Sequence, residues 1–191
     1  MPLLSLDEIQ QELDRKFLPL PEFTWNSRLR AGGVSDSALV ACEKGLGKKL
    51  PPAFRTLIQA YDFGDLTLGP VQFCYDGDYP QRLIDLNVGK YSWGCIGCPA
   101  NLITVALSDP YSILLDTVHG TMHAHDPDLD WDGITHIASG FDTYFRGLAM
   151  AMVRLGTVED TEAFAQQLLA DVGGTDMRYW RPMAGGRNPP R

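Results

Sequence analysis

Several stretches of this chain repeat apolar residues at helical spacing, while its middle carries short apolar runs that read as strands. Ile9, Leu13 and Phe17 mark one face of a helix to about Lys16. Ser5-Leu6-Asp7-Glu8 gives it a capping box, in which the serine and glutamate side chains satisfy free amides at the helix start. Leu39, Cys42 (or Glu43) and Leu46 recur three or four residues apart and predict a helix over Ser35 to Leu46. Gly47 stands where a helix ends in a left-handed residue. Pro51 and Pro52 suit the first turn of the next helix, whose stripe is Phe54, Leu57, Ile58 and Tyr61. Gly64 reads as its stop. The expectation is a pair of helices joined by a proline bend, each with one face to bury.

Between Val71 and Ala138 the pattern changes. Val71–Tyr75, Leu102–Leu107, Tyr111–Leu115, Thr121–His125 and Ile134–Ala138 read as strands, with turn signals at Asp76-Gly77-Asp78 and Ser108-Asp109-Pro110. Residues 79–100 give no single period, because Gly89, Gly94, Gly97 and Pro99 interrupt their apolar positions. A helix then starts at Ser139-Gly140-Phe141-Asp142 and carries Tyr144, Phe145, Leu148 and Met152 to Gly156. A last helix spans Thr157 to Val172. Helices, then strands joined by tight turns, then helices make an α+β fold with leading helices and a central, mostly antiparallel, meandering sheet.

Leu46-Gly47, the basic step Lys48-Lys49, Leu50-Pro51, then Phe54, Arg55 and Leu57-Ile58 resemble the signature of the SUKH superfamily. That superfamily contains yeast cell-wall-assembly regulators and many bacterial immunity proteins against polymorphic toxins. Its pattern continues with a tyrosine or histidine and an Asn-Gly-Gly turn. Tyr61-Asp62-Phe63-Gly64-Asp65 matches the aromatic and one glycine but not the asparagine. Ser139 and Phe141 fill the family's Ser-Phe pair, with Gly140 inserted. The resemblance covers roughly 34–153, within one SUKH-like domain over 1–180. The helices at 5–16 and 157–172 are additions, and 181–191 reads as a flexible tail. It implies a protein that binds and neutralises a cognate toxin, a basic nuclease among the candidates, by stoichiometric contact.

Composition agrees with a folded protein rather than a disordered one: 191 residues, 45% hydrophobic and 21% charged. A net charge of −8 argues against direct nucleic-acid binding and suits a basic protein partner. The same charge also serves solubility alone. No basic region followed by an apolar run opens the sequence, and no window reaches the roughly 20 apolar residues of a membrane span. Cys42, Cys74, Cys95 and Cys98 are too few and too irregular for a disulfide framework, so the cytoplasm is the expected compartment.

Three clusters carry candidate chemistry. His119, His123, His125 and His136 gather in one segment, and on a strand His123 and His125 share a face that could ligate zinc or another transition metal. Asp128, Asp130, Asp132 and Gly133 copy the first half of a calcium loop. Its twelfth position is Ser139, where a bidentate glutamate is required, so we read an acidic turn. Cys95-Ile96-Gly97-Cys98 has redox spacing without the strand–helix context, and reads as thiols without a metal. We assign no cofactor, no metal and no catalytic residue. The partner-binding candidates are Asp62, Asp65, Asp76, Asp78, Asp126, Asp128, Asp130, Trp131 and Asp132. The alternatives are an intracellular regulatory scaffold, or a metal-binding enzyme using His119, His123 and His125.

Overall fold

The computed structural model describes residues 2–20, 24–89 and 97–188. It is an α+β fold. Among the described residues seven α-helices flank a six-stranded antiparallel sheet whose strands follow chain order, β1 to β6. The strands are β1 Thr67–Leu68, β2 Val71–Gln72, β3 Leu102–Ser108, β4 Ser112–Asp116, β5 Met122–His125 and β6 Thr135–Ala138. From β3 to β6 the strands are joined by short returns that need no crossover, whereas β2 reaches β3 through residues 73–101.

Helix α1, Leu6–Phe17, opens with the expected capping box: Ser5 Oγ accepts from the Glu8 amide, and the Glu8 carboxylate accepts from the Ser5 amide. Ile9 and Leu13 are buried against the core. Lys16 donates from Nζ to the carbonyls of Met152 and Val153, at the C-terminal end of a later helix where the dipole favours a cation.

Helices α2, Asp36–Leu46, and α3, Pro52–Ala60, form the proline-bent pair. Gly47 ends α2 at φ 66°. Glu43, on the margin of the apolar stripe, is buried and ties the bend together. Its carboxylate accepts from Lys49 Nζ, the Leu50 amide and Arg55 Nη1 at 2.8, 3.0 and 2.7 Å. Burial alone would raise its pKa, but those hydrogen bonds outweigh it and hold the carboxyl at about 2. Helix α3 stops earlier than Gly64: Tyr61 turns extended and pairs with Ala31. Gly64 serves another purpose, since a Cβ there would lie 2.6 Å from the Gly77 carbonyl oxygen.

The strand expected at Val71–Tyr75 contracts to Val71–Gln72, and the ambiguous segment after it contains helix α4, Tyr79–Asn87, capped by Asp78. Tyr79 donates its hydroxyl to the Val105 carbonyl, and Asn87 bridges Leu83 and Thr104. Helix α5, Phe141–Arg154, lies against the sheet and places Phe141 and Phe145 among Phe54, Phe63, Phe73 and Tyr79 in one aromatic core.

The last helix begins four residues later than expected: α6 is Thr161–Val172, capped by Asp160. A further helix, α7, Met177–Met183, follows. The tail boundary at residue 181 is therefore corrected. Arg181 pairs with Glu162, Met183 and Ala184 are buried, and Trp180 donates from its indole to the Ile137 carbonyl. Gly147 of α5 makes room for this addition, as a Cβ would sit 2.4 Å from Val172 and 3.0 Å from Trp180.

Candidate functional site

Antiparallel pairing puts Ile103, Leu115, Met122 and Ala138 in one row on the core face of the sheet, all fully buried. The neighbouring row on the other face is Thr104, Leu114, His123 and His136. The histidines expected to converge engage different partners. His123 meets His136 edge-on at 5.4 Å and shares a 2.9 Å hydrogen bond with Thr121. Burial, then the facing His136, lowers its pKa. His119 sits on the β4–β5 turn beside Asp116, whose carboxylate also accepts from Asn101 and from the Val118 and His119 amides. Those bonds overcome burial and hold Asp116 at about 2.

His125 is only 4% exposed. Its Nε2 bonds to the Leu129 carbonyl, and its ring stacks on Trp131 with centroids 3.9 Å apart and planes 10° from parallel. Trp131 is therefore held against the sheet. Among the described residues, no three His, Cys, Asp or Glu side chains form a group able to hold a metal ion. Cys42 and Cys74 are buried thiols that donate to Pro80 O and the Asp76 carboxylate. Cys95 lies outside the described residues, so the Cys95–Cys98 reading does too.

Around the Trp131 stack the acidic loop takes a fixed shape. Leu129 donates to the Asp126 carbonyl, Gly133 to the Asp130 carbonyl, and Trp131–Gly133 make a single 3₁₀ turn. Asp126, 3% exposed, accepts from the Asp128 amide inside the loop. Asp128, Asp130 and Asp132 are exposed. The second acidic group is more divided. Asp62 is ion-paired with Arg30 at 2.9 Å and Asp65 is half-buried, whereas Asp76 and Asp78 are exposed, Asp78 while capping α4.

No family model and no curated protein matches this chain.

The structure adds a feature that the sequence pattern missed. A groove of about 610 Å³ opens on the sheet face opposite the core. Its floor is the row Thr67, Gln72, Leu107 and Ser112, which pairing sets side by side across four strands. Arg82 of α4 stands at its wall, 6% exposed, with the guanidinium 4.8 Å from the Tyr75 ring centroid. Tyr75 and Pro127 bring segments adjoining both acidic groups to this groove. Arg82 was missed in the sequence because it is a charged residue within the buried stripe Tyr79, Leu83 and Leu86, in a segment that the glycines and proline after it make hard to read. No helix among the described residues is long and apolar enough to cross a membrane.

Proposed function

We propose that this chain is an immunity protein of the SUKH superfamily, which neutralises a cognate toxin by stoichiometric binding. The observation that carries the reading is the loop at 126–132. It presents Asp128, Asp130 and Asp132 to solvent on a backbone fixed by the stack of Trp131 on buried His125. Carboxylates held in advance lose little freedom on binding, and they speed the approach of a basic partner. A basic nuclease is such a partner, because its cleft is shaped for phosphates that these carboxylates imitate.

The proline-bent α2–α3 pair, the meandering sheet and the closing helix after Ser139 and Phe141 agree with the layout that the resemblance implies. Asp76 and Asp78 extend the exposed acidic surface, while Asp62 and Asp126 serve the fold through Arg30 and the loop turn. The test is co-expression with the toxin encoded by the neighbouring gene. The wild-type chain is expected to protect cells and to co-purify with the toxin. Asp128→Lys with Asp130→Lys and Asp132→Lys, folded normally, is expected to lose both. Full protection by that triple variant removes the loop from the account.

A further inference from the structure

Strands β5 and β6 set His123 directly opposite His136, on the sheet face turned away from the core. Opposed residues on one face of an antiparallel pair bring their Cβ atoms to about 5 Å, close enough for two imidazoles to reach one point between them. The two rings lie with centroids 5.4 Å apart and planes 65° from parallel. Imidazoles bound to one tetrahedral ion, each at about 2.1 Å, place their centroids about 5 Å apart and need no common plane. The observed spacing matches that of a chelate. Both residues are partly exposed, so an ion from solvent reaches them.

Hydrogen bonding sets which ring atoms are available. His123 Nε2 lies 2.9 Å from Thr121 Oγ1. With Nε2–H donating to that oxygen, the lone pair falls on Nδ1, which has no hydrogen-bond partner among the described residues. Histidines that ligate metals are ordinarily held in this way, the second ring nitrogen donating to an oxygen that fixes the tautomer. The His136 ring makes no hydrogen bond among the described residues. Its backbone carbonyl, not its imidazole, ties β6 to Thr175 and Asp176. Rotation about Cβ–Cγ is soft for histidine, so this ring can turn a nitrogen toward His123 without disturbing the strand.

We propose that His123 and His136 together chelate one divalent transition-metal ion of the zinc, nickel or copper class. Imidazole nitrogens suit these ions, whereas calcium and magnesium require oxygen donors. His119 and His125 stay outside the pair, the first held at Asp116 and the second between the Leu129 carbonyl and Trp131. No third His, Cys, Asp or Glu among the described residues completes a group. Water therefore takes the remaining coordination positions.

The experiment titrates the full, untagged chain with zinc, nickel and calcium chlorides by calorimetry, and follows the imidazole ¹H–¹⁵N signals with zinc. At least one of zinc and nickel is expected to bind with Kd below about 1 mM, at no more than one ion per chain, and calcium is not. Zinc is expected to shift the Nδ1 signal of His123. His123→Gln and His136→Gln are each expected to weaken binding at least tenfold, because a second ligand held in place acts at high effective concentration. His119→Gln is expected to leave it unchanged. Amide spectra check that each variant is folded, and should His123→Gln fail to fold, His136→Gln and the Nδ1 signal carry the test. Binding of zinc and nickel weaker than about 1 mM overturns the proposal. So does undiminished binding in His136→Gln, calcium binding of equal strength, or an equal loss in His119→Gln.

Discussion

Replacing Glu43 by glutamine removes one negative charge from the junction of α2 and α3 while keeping the side chain's shape. The carboxylate is 3% exposed and accepts from Lys49, the Leu50 amide and Arg55. Lys49 is 85% exposed, so that pair contributes little against solvent screening. Arg55, about a quarter exposed, and the buried Leu50 amide carry most of the effect. A drop from the ordinary value of 4.5 to about 2 sets an upper bound of about 3 kcal/mol, and discounting the solvated lysine leaves about 2 kcal/mol. The native pKa is depressed, so this stabilisation is complete above about pH 4.5 and is lost as pH falls through about 2. Urea unfolding at pH 7, pH 4 and pH 2.5 measures it. Glu43→Gln is expected to be less stable by about 2 kcal/mol at pH 7, with the gap narrowing steadily towards pH 2.5. A gap that stays constant across that range refutes the assignment to a buried, ionised carboxylate.

Gly147→Ala gains about 1 kcal/mol of helix propensity but sets a Cβ 2.4 Å from Val172, so the clash wins and calorimetric melting is expected to show a net loss of about 1–2 kcal/mol. Trp180→Ala deletes a fully buried ring and its bond to Ile137. It is expected to cost about 3–5 kcal/mol in urea unfolding, and a loss under about 1 kcal/mol contradicts the docking of α7. Asp116→Asn leaves the Val118 and His119 amides a poorer acceptor. Its deficit of about 1–2 kcal/mol at neutral pH is expected to shrink as pH falls from about 4 towards about 2, read from the same unfolding curves.

The helices whose stripes are amphipathic were legible: α1 from Ile9 and Leu13, α3 from Phe54, Leu57 and Ile58, and α5 from Phe141 to Met152. The order of β2 to β6 was legible too, with Ser108-Asp109-Pro110 joining β3 to β4, whereas β1 was missed and Asp76-Gly77-Asp78 leads into α4. Helix α4 was not legible, because its nine residues bury a short stripe of Tyr79, Leu83 and Leu86 that includes the charged Arg82, inside a segment broken by Gly89, Gly94, Gly97 and Pro99. Helix α7 was hidden by its length and by Pro182, which reads as a breaker although it sits in the helix. For the site, the sequence marked the acidic loop and offered Trp131 as a partner-binding candidate without showing what its ring packs against. Only the pairing of β4 with β5 and the approach of the loop set it on His125. Charge alone likewise did not separate Asp128 and Asp130, which face solvent, from Asp126 and Asp62, which hold local structure.

The most direct test of the proposed role is titration calorimetry of this chain against a candidate toxin from an adjoining gene, at low and physiological salt, with wild type and the Asp128→Lys, Asp130→Lys, Asp132→Lys variant. One-to-one binding that blocks the toxin's activity, weakens with salt and falls at least a hundredfold in the variant is the predicted result, given about 1–3 kcal/mol for each charge-assisted hydrogen bond that the lysines remove. Binding of equal strength by the variant contradicts the proposed recognition face, and turnover of a substrate by the purified chain alone contradicts the proposed non-catalytic role.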